Sequence, residues 1–323
     1  MNRERRTWAS LMLALTVILS SCGGGAPPEE KVIRIGYLPI THAAPLYFEK
    51  QFEDQYLNGG RIELIRFGSW IELMDALNTG RIDGASVLFE LAMKAREKGI
   101  DLKAVALGHR DGNAVVVSHD VEEVADLKGA TVAIPHTLSA HNLLLDEMLQ
   151  NAGLTYEDVN PVEMPPAEMP AALSEGRIQS YIVAEPFGAL GVSLNTGKVL
   201  FQSNEIRANS LCCVLVLRSD FIEQQPEFAQ TFVTGYIEAG KKAEAYDVHT
   251  HDEHEDPFKQ FLNVDEDVLT LSLGWISYDN LRIEQEDYEY LRQRLVEMGL
   301  SENPPAYEEF VDQSFFEEAL ERR

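Results

Sequence analysis

Basic residues are scarce in this chain of 323, with 27 Lys and Arg against 53 Asp and Glu and a formal net charge of −26. That excess repels phosphodiester backbones and anionic lipid surfaces, and so excludes nucleic acid as a partner. Cysteine is nearly absent: Cys22, Cys212 and Cys213 are the only three, and their spacing forms no cysteine-based zinc motif. Past residue 22 there is no apolar run long enough to cross a bilayer. Also missing are a nucleophile elbow, a phosphate-binding glycine loop and a His-Glu-x-x-His helix. The expectation is a protein that is no enzyme and needs no cofactor.

What is present begins with an export signal. Arg3, Arg5 and Arg6 precede a short apolar stretch over residues 11–19, and a positive start followed by a brief apolar core is the pattern of a secretory leader. The stretch ends in Leu19-Ser20-Ser21-Cys22, which resembles the lipobox of bacterial lipoproteins, whose cysteine is acylated and becomes the new N-terminus. Residues 1–22 are therefore expected to be the leader and 23–31 a glycine- and proline-rich tether. The expected location is the cell membrane, reached through the lipid on Cys22 alone, with the body on the extracytoplasmic side.

The remaining length suits two lobes better than one core. Two segments repeat at a fixed distance: Met-Asp-Ala-Leu-Asn-Thr-Gly-Arg-Ile-Asp over residues 74–83 and Pro-Ala-Ala-Leu-Ser-Glu-Gly-Arg-Ile-Gln over residues 170–179. Gly80 and Gly176 are 96 apart, as are Pro39 and Pro135, Thr41 and Thr137, which points to two copies of one supersecondary unit. Within each copy, short β-branched runs alternate with helical periodicity, the signature of parallel strands joined by crossover helices. The fold expected is α/β and two-lobed, each lobe β-α-β-α-β. Residues 32–113 and 218–323 make lobe 1 and 114–217 lobe 2, with 114–118 and 211–217 as two crossing strands. Cys212 and Cys213, adjacent in that second strand-like run, should point to opposite faces and read as two buried thiols, with a vicinal disulfide as the alternative.

Gly36-Tyr37-Leu38-Pro39 with Thr41-His42, Leu77-Asn78-Thr79-Gly80-Arg81-Ile82-Asp83, Asp126-Leu127-Lys128-Gly129, Ser139-Ala140-His141-Asn142 and Ala184-Glu185-Pro186-Phe187 occur in an order that resembles the substrate-binding proteins of ABC importers. The resemblance is to the nitrate, sulfonate and taurine type, which also includes binders of thiamine-pyrimidine precursors. It implies a periplasmic-binding-protein type II fold that closes on a small ligand and hands it to a permease driven by ATPase subunits. It also implies site residues between the lobes: Thr41 and His42, then Ser86 and Glu90, then Ser139, His141 and Glu185, with Trp70 lining the cleft. His109, beside the first crossing, is a further candidate on its position, with a solvated hinge as the equal alternative. A monomer is expected. Eukaryotic thiamine-pyrimidine synthases share the fold but carry a cysteine-rich motif that Cys212-Cys213 is too sparse to supply.

Ser139 stands where a helix N-cap belongs and His141 in the turn after it, so exposed peptide N–H groups and an imidazole favour an oxyanion such as an aliphatic sulfonate or nitrate. A pyrimidine-like ring is the second reading. Trp70 reads equally well as core packing, and Glu185 as a scaffold carboxylate that would repel an anion. His249, His251 and His254 lie in an acidic stretch and read as a solvated loop, with metal scavenging as the weak alternative.

Overall fold

The computed structural model describes residues 31–250 and 256–321; the leader, Cys22 and most of the tether lie outside the described residues, as do His251 and His254. Twelve strands form the sheets: β1 Val32–Tyr37, β2 Arg61–Arg66, β3 Gly84–Leu88, β4 Leu102–Leu107, β5 Arg110–Asp111, β6 Asn113–Val117, β7 Thr131–Ile134, β8 Asn160–Glu163, β9 Ser180–Ala184, β10 Lys198–Gln202, β11 Cys213–Arg218 and β12 Ile276–Ser277. The first sheet runs β2-β1-β3-β11-β4 and the second β8-β7-β9-β6-β10, with β5 and β12 as a separate small ribbon.

The two sheets are copies. In each, three parallel strands are followed by one antiparallel strand, β11 against β3 or β6 against β9. The helices before the third strands, Trp70–Asn78 and Met169–Ser174, stop in the same way. Gly80 and Gly176 take positive φ of 73° and 70°, a conformation that favours glycine. Arg81 N–H then reaches Ala76 O, and Arg177 N–H reaches Ala172 O, each at 2.9 Å. The offset of 96 therefore holds at this turn. In the first strands it is 97, because β1 pairs Ile35 with Gly84 whereas β7 pairs Val132 with Ser180. Pro39 and Pro135 are thus a residue out of structural register.

One expectation gives way here. The sequence pattern puts residues 211–217 with lobe 2, but β11 lies between β3 and β4 in the first sheet. Likewise β6 is an inner strand of the second sheet, between β9 and β10. The chain crosses just before each of these strands, so β6 opens the second lobe and β11 opens the return to the first.

The second sheet is apolar on both faces, as a sheet covered by helices must be. Val115, Val117, Val132, Ile134 and Ile182 pack with Leu145, Met148 and Leu149 of helix Ala140–Asn151. The alternate residues Ala114, Val116, Ala133, Tyr181 and Val183 pack with Met169, Ala172 and Leu173. A larger core surrounds the first sheet and takes in helix Pro226–Glu244 and the C-terminal helix Ser314–Glu321.

Candidate functional site

Open parallel sheets carry their binding loops at the carboxyl ends of strands, and the first sheet uses this rule for three of its members. His42 follows β1 on a short 3-10 turn, Glu90 follows β3, and His109 follows β4. The antiparallel β11 supplies the rest: its first residue, Cys213, pairs with Leu88, the last residue of β3, and Val214 with Leu107, the last of β4. Its beginning therefore sits among the endings of its neighbours. Gly108 lets the pieces approach, since a Cβ there would lie 2.8 Å from His42 O and 3.3 Å from Cys213 Cβ.

The result is a cluster in which ligand atoms of His42, His109, Cys212 and Cys213 all fall within 4.8 Å of one another. The two histidines and Cys212 have 0% exposure and Cys213 has 1%. His42 Nε2 lies 2.8 Å from Gly112 O, and because a carbonyl can only accept, that nitrogen carries the hydrogen. Nδ1 then faces Cys212 Sγ at 3.7 Å and Cys213 Sγ at 3.6 Å. The sulfurs are 3.9 Å apart and unbonded. They converge, contrary to the opposite-face expectation, because Cys212 precedes the strand that Cys213 begins. The rings of His42 and His109 stack with centroids 3.5 Å apart.

The second lobe faces this cluster with the first turn of helix Ala140–Asn151. His141 is buried there with neither ring nitrogen hydrogen-bonded among the described residues, and the Glu90 carboxyl faces the peptide N–H of Ala140. Burial, with His42 adding to it, holds His141 down at about 3. Burial above all, then His42, holds His109 well below the usual imidazole range. It pushes Glu90 up to about 8, with peptide N–H groups, Ala140's among them, opposing the rise. Burial also pushes the Cys212 thiol well up, with Cys213 adding to it. A 170 Å³ cavity beside these groups takes its walls from Ala140, Leu143, Arg207, Leu211 and Tyr290; Arg207 is already held by both carboxyl oxygens of Glu147 at 2.9 Å.

Other anticipated site residues serve the frame. Thr41 donates from its backbone and hydroxyl to Glu185 O at 2.9 and 3.0 Å, and its own carbonyl accepts from Tyr278 OH at 2.8 Å. Ser139 caps its helix through Asn142 N–H and donates to His136 O at 2.6 Å. Glu185 Oε2 accepts from Ala189 N–H and Ser272 OH, each at 3.0 Å, and burial lifts the carboxyl to about 7. Trp70 packs in the first core with Nε1 unpartnered, and Ser86 lies mid-strand in β3 opposite Leu215. His249 pairs with Glu266 at 3.0 Å on the surface. Sequence reasoning missed the cysteines as site residues, and missed Asn113, whose Oδ1 lies 3.8 Å from Cys212 Sγ.

Two copied sheets with a buried polar cluster at their seam define a two-lobed binding protein of the periplasmic type II class. The chain belongs to the NMT1-like family, whose model matches residues 26–254. It is 42% identical to a ligand-binding component of an ABC-type import system from Staphylococcus aureus, solved with zinc bound. That likeness has a TM-score of 0.84 and covers 90% of this chain and 99% of the other. It is 26% identical, over 72% of this chain and 74% of the relative, to a putative aliphatic sulfonates-binding protein of Escherichia coli. It is also 26% identical to a nitrate import ATP-binding protein of Synechocystis, of which it spans 38% of the length.

Proposed function

We propose that the protein is the ligand-binding component of an ABC-type importer, held to the extracytoplasmic face of the membrane by an acyl chain on Cys22. It captures a small solute between the lobes, passes it to a permease and performs no chemistry. The observation that carries this reading is the seam itself. His42, His109 and Glu90 from one lobe meet His141 from the other, fully buried, and His141 has no hydrogen-bond partner for either ring nitrogen among the described residues. Buried polar atoms without partners are rare in a finished interior and common where a ligand completes the bonding. The likeness to the S. aureus import component supports it.

An oxyanion, an aliphatic sulfonate or nitrate, is the cargo that the E. coli and Synechocystis relatives support. His141 in the first turn of a helix suits it, because a neutral imidazole donates one hydrogen bond and the helix start favours negative charge. A second reading, a metal ion, is favoured by the zinc-bound relative and by the convergence of four nitrogen and sulfur donors. Thermal-shift measurements against sulfonates, nitrate and zinc test both, since a ligand at a hundredfold its Kd stabilises by about 2.7 kcal/mol. At least one class is expected to raise the Tm; a flat response to all of them rejects the binding-protein reading.

A further inference from the structure

We propose that His42, His109, Cys212 and Cys213 are the ligands of a divalent transition-metal ion of the zinc class, and that this ion is what the importer carries. The second half rests on the importer reading; the first stands on geometry. A tetrahedral ion with metal–sulfur bonds of about 2.3 Å and metal–nitrogen bonds of about 2.0 Å has sulfur–sulfur edges of about 3.8 Å and sulfur–nitrogen edges of about 3.5 Å. The corresponding separations are 3.9 Å between the sulfurs, and 3.7 and 3.6 Å from each sulfur to His42 Nδ1. Three corners thus stand at coordination spacing before any ion is added, and His109 is within 4.8 Å of them all.

The surroundings are those of a metal site. Gly112 O fixes the His42 tautomer from the far side of the ring, the outer-shell contact that metal-bound histidines make. His109 Nε2 accepts from Cys213 N–H at 3.4 Å, so the ring already turns a lone pair toward the cysteine pair. Two thiolates cancel the charge of a divalent ion, which lets the whole unit sit in an interior that would reject a bare ion. A monovalent ion would leave one negative charge over. Hard ions such as magnesium and calcium want oxygen, whereas an S2N2 set selects zinc-like ions. Loading expels both thiol protons to solvent. The titratable neighbours of the cluster are His141 on the opposing helix, which faces His42 and His109, and Tyr236, which faces Cys213.

The test is titration of the reduced full-length chain with Co2+ and then Zn2+, followed spectroscopically. One Co2+ per chain with strong thiolate-to-cobalt charge-transfer absorption is expected, lost on adding Zn2+. Folded Cys213→Ser and His109→Ala chains should bind at least ~100-fold more weakly. Absence of the charge-transfer band in the wild-type chain overturns the site without relying on any variant, and so does an unchanged affinity in folded Cys213→Ser. If sulfonates or nitrate still raise the Tm of a chain that lacks the band, the importer reading survives and this one falls. For the cargo, deletion of the protein should lower zinc accumulation by cells. Unchanged zinc uptake overturns the cargo assignment, and unchanged uptake of zinc, sulfonates and nitrate together overturns the importer reading itself.

Discussion

Replacing Glu185 by Gln should stabilise the protein at alkaline pH and leave it nearly unchanged at pH 5. The side chain is buried; Oε2 is shared by Ala189 N–H and Ser272 OH, while Oε1 has no partner. Burial raises its pKa from 4.5 to about 7. An acid whose folded pKa exceeds its unfolded one holds its proton more tightly in the native state, so stability declines as pH rises from about 4.5 through 7. The rise from 4.5 to about 7 amounts to about 3 kcal/mol once the group is ionised in both states. Gln keeps an acceptor for the two donors and never ionises. In urea denaturation from pH 5 to 9, the variant should gain on the wild type by about 3 kcal/mol, mostly between pH 5 and 8. The contributions of Glu90 and the histidines are common to both proteins and cancel in the difference. A stability difference that stays constant across this range would refute the reasoning, because it would mean the carboxyl does not titrate against its buried setting.

Gly108→Ala should cost about 1 to 3 kcal/mol by overpacking, since the new Cβ meets His42 O at 2.8 Å and Cys213 Cβ at 3.3 Å. Any Co2+ affinity should fall with it, read by the same titration. Cys22→Ser should move the protein from the membrane to the soluble fraction with its Tm unchanged, because the lipid is the expected anchor; persistence in the membrane fraction would point to another attachment.

Local patterns proved readable where the responsible residues are near one another in the chain. The turn at Gly80 and its copy at Gly176 follow from a positive φ that glycine adopts without strain. The Ser139 cap follows from a hydroxyl placed to accept from a nearby N–H. Strand ends and helix starts gather at the cleft, and that rule alone puts His42, His109 and His141 there. Trp70, Thr41 and Ser139 had the same local credentials, yet their surroundings engage them in packing or in hydrogen bonds of the frame.

The amino-acid sequence by itself determined the doubled strand-and-helix plan, the acidic surface and the family's order of motifs, since periodicity, turn chemistry and charge act over a few residues. Only the tertiary structure decided that β11 returns antiparallel into the first sheet, between β3 and β4. That single insertion carries Cys212 and Cys213 some 170 positions along the chain to the side of His42 and about 100 to that of His109. Strand pairing is governed by which edges remain open after the parallel strands have assembled, a property of the whole sheet that no local stretch records.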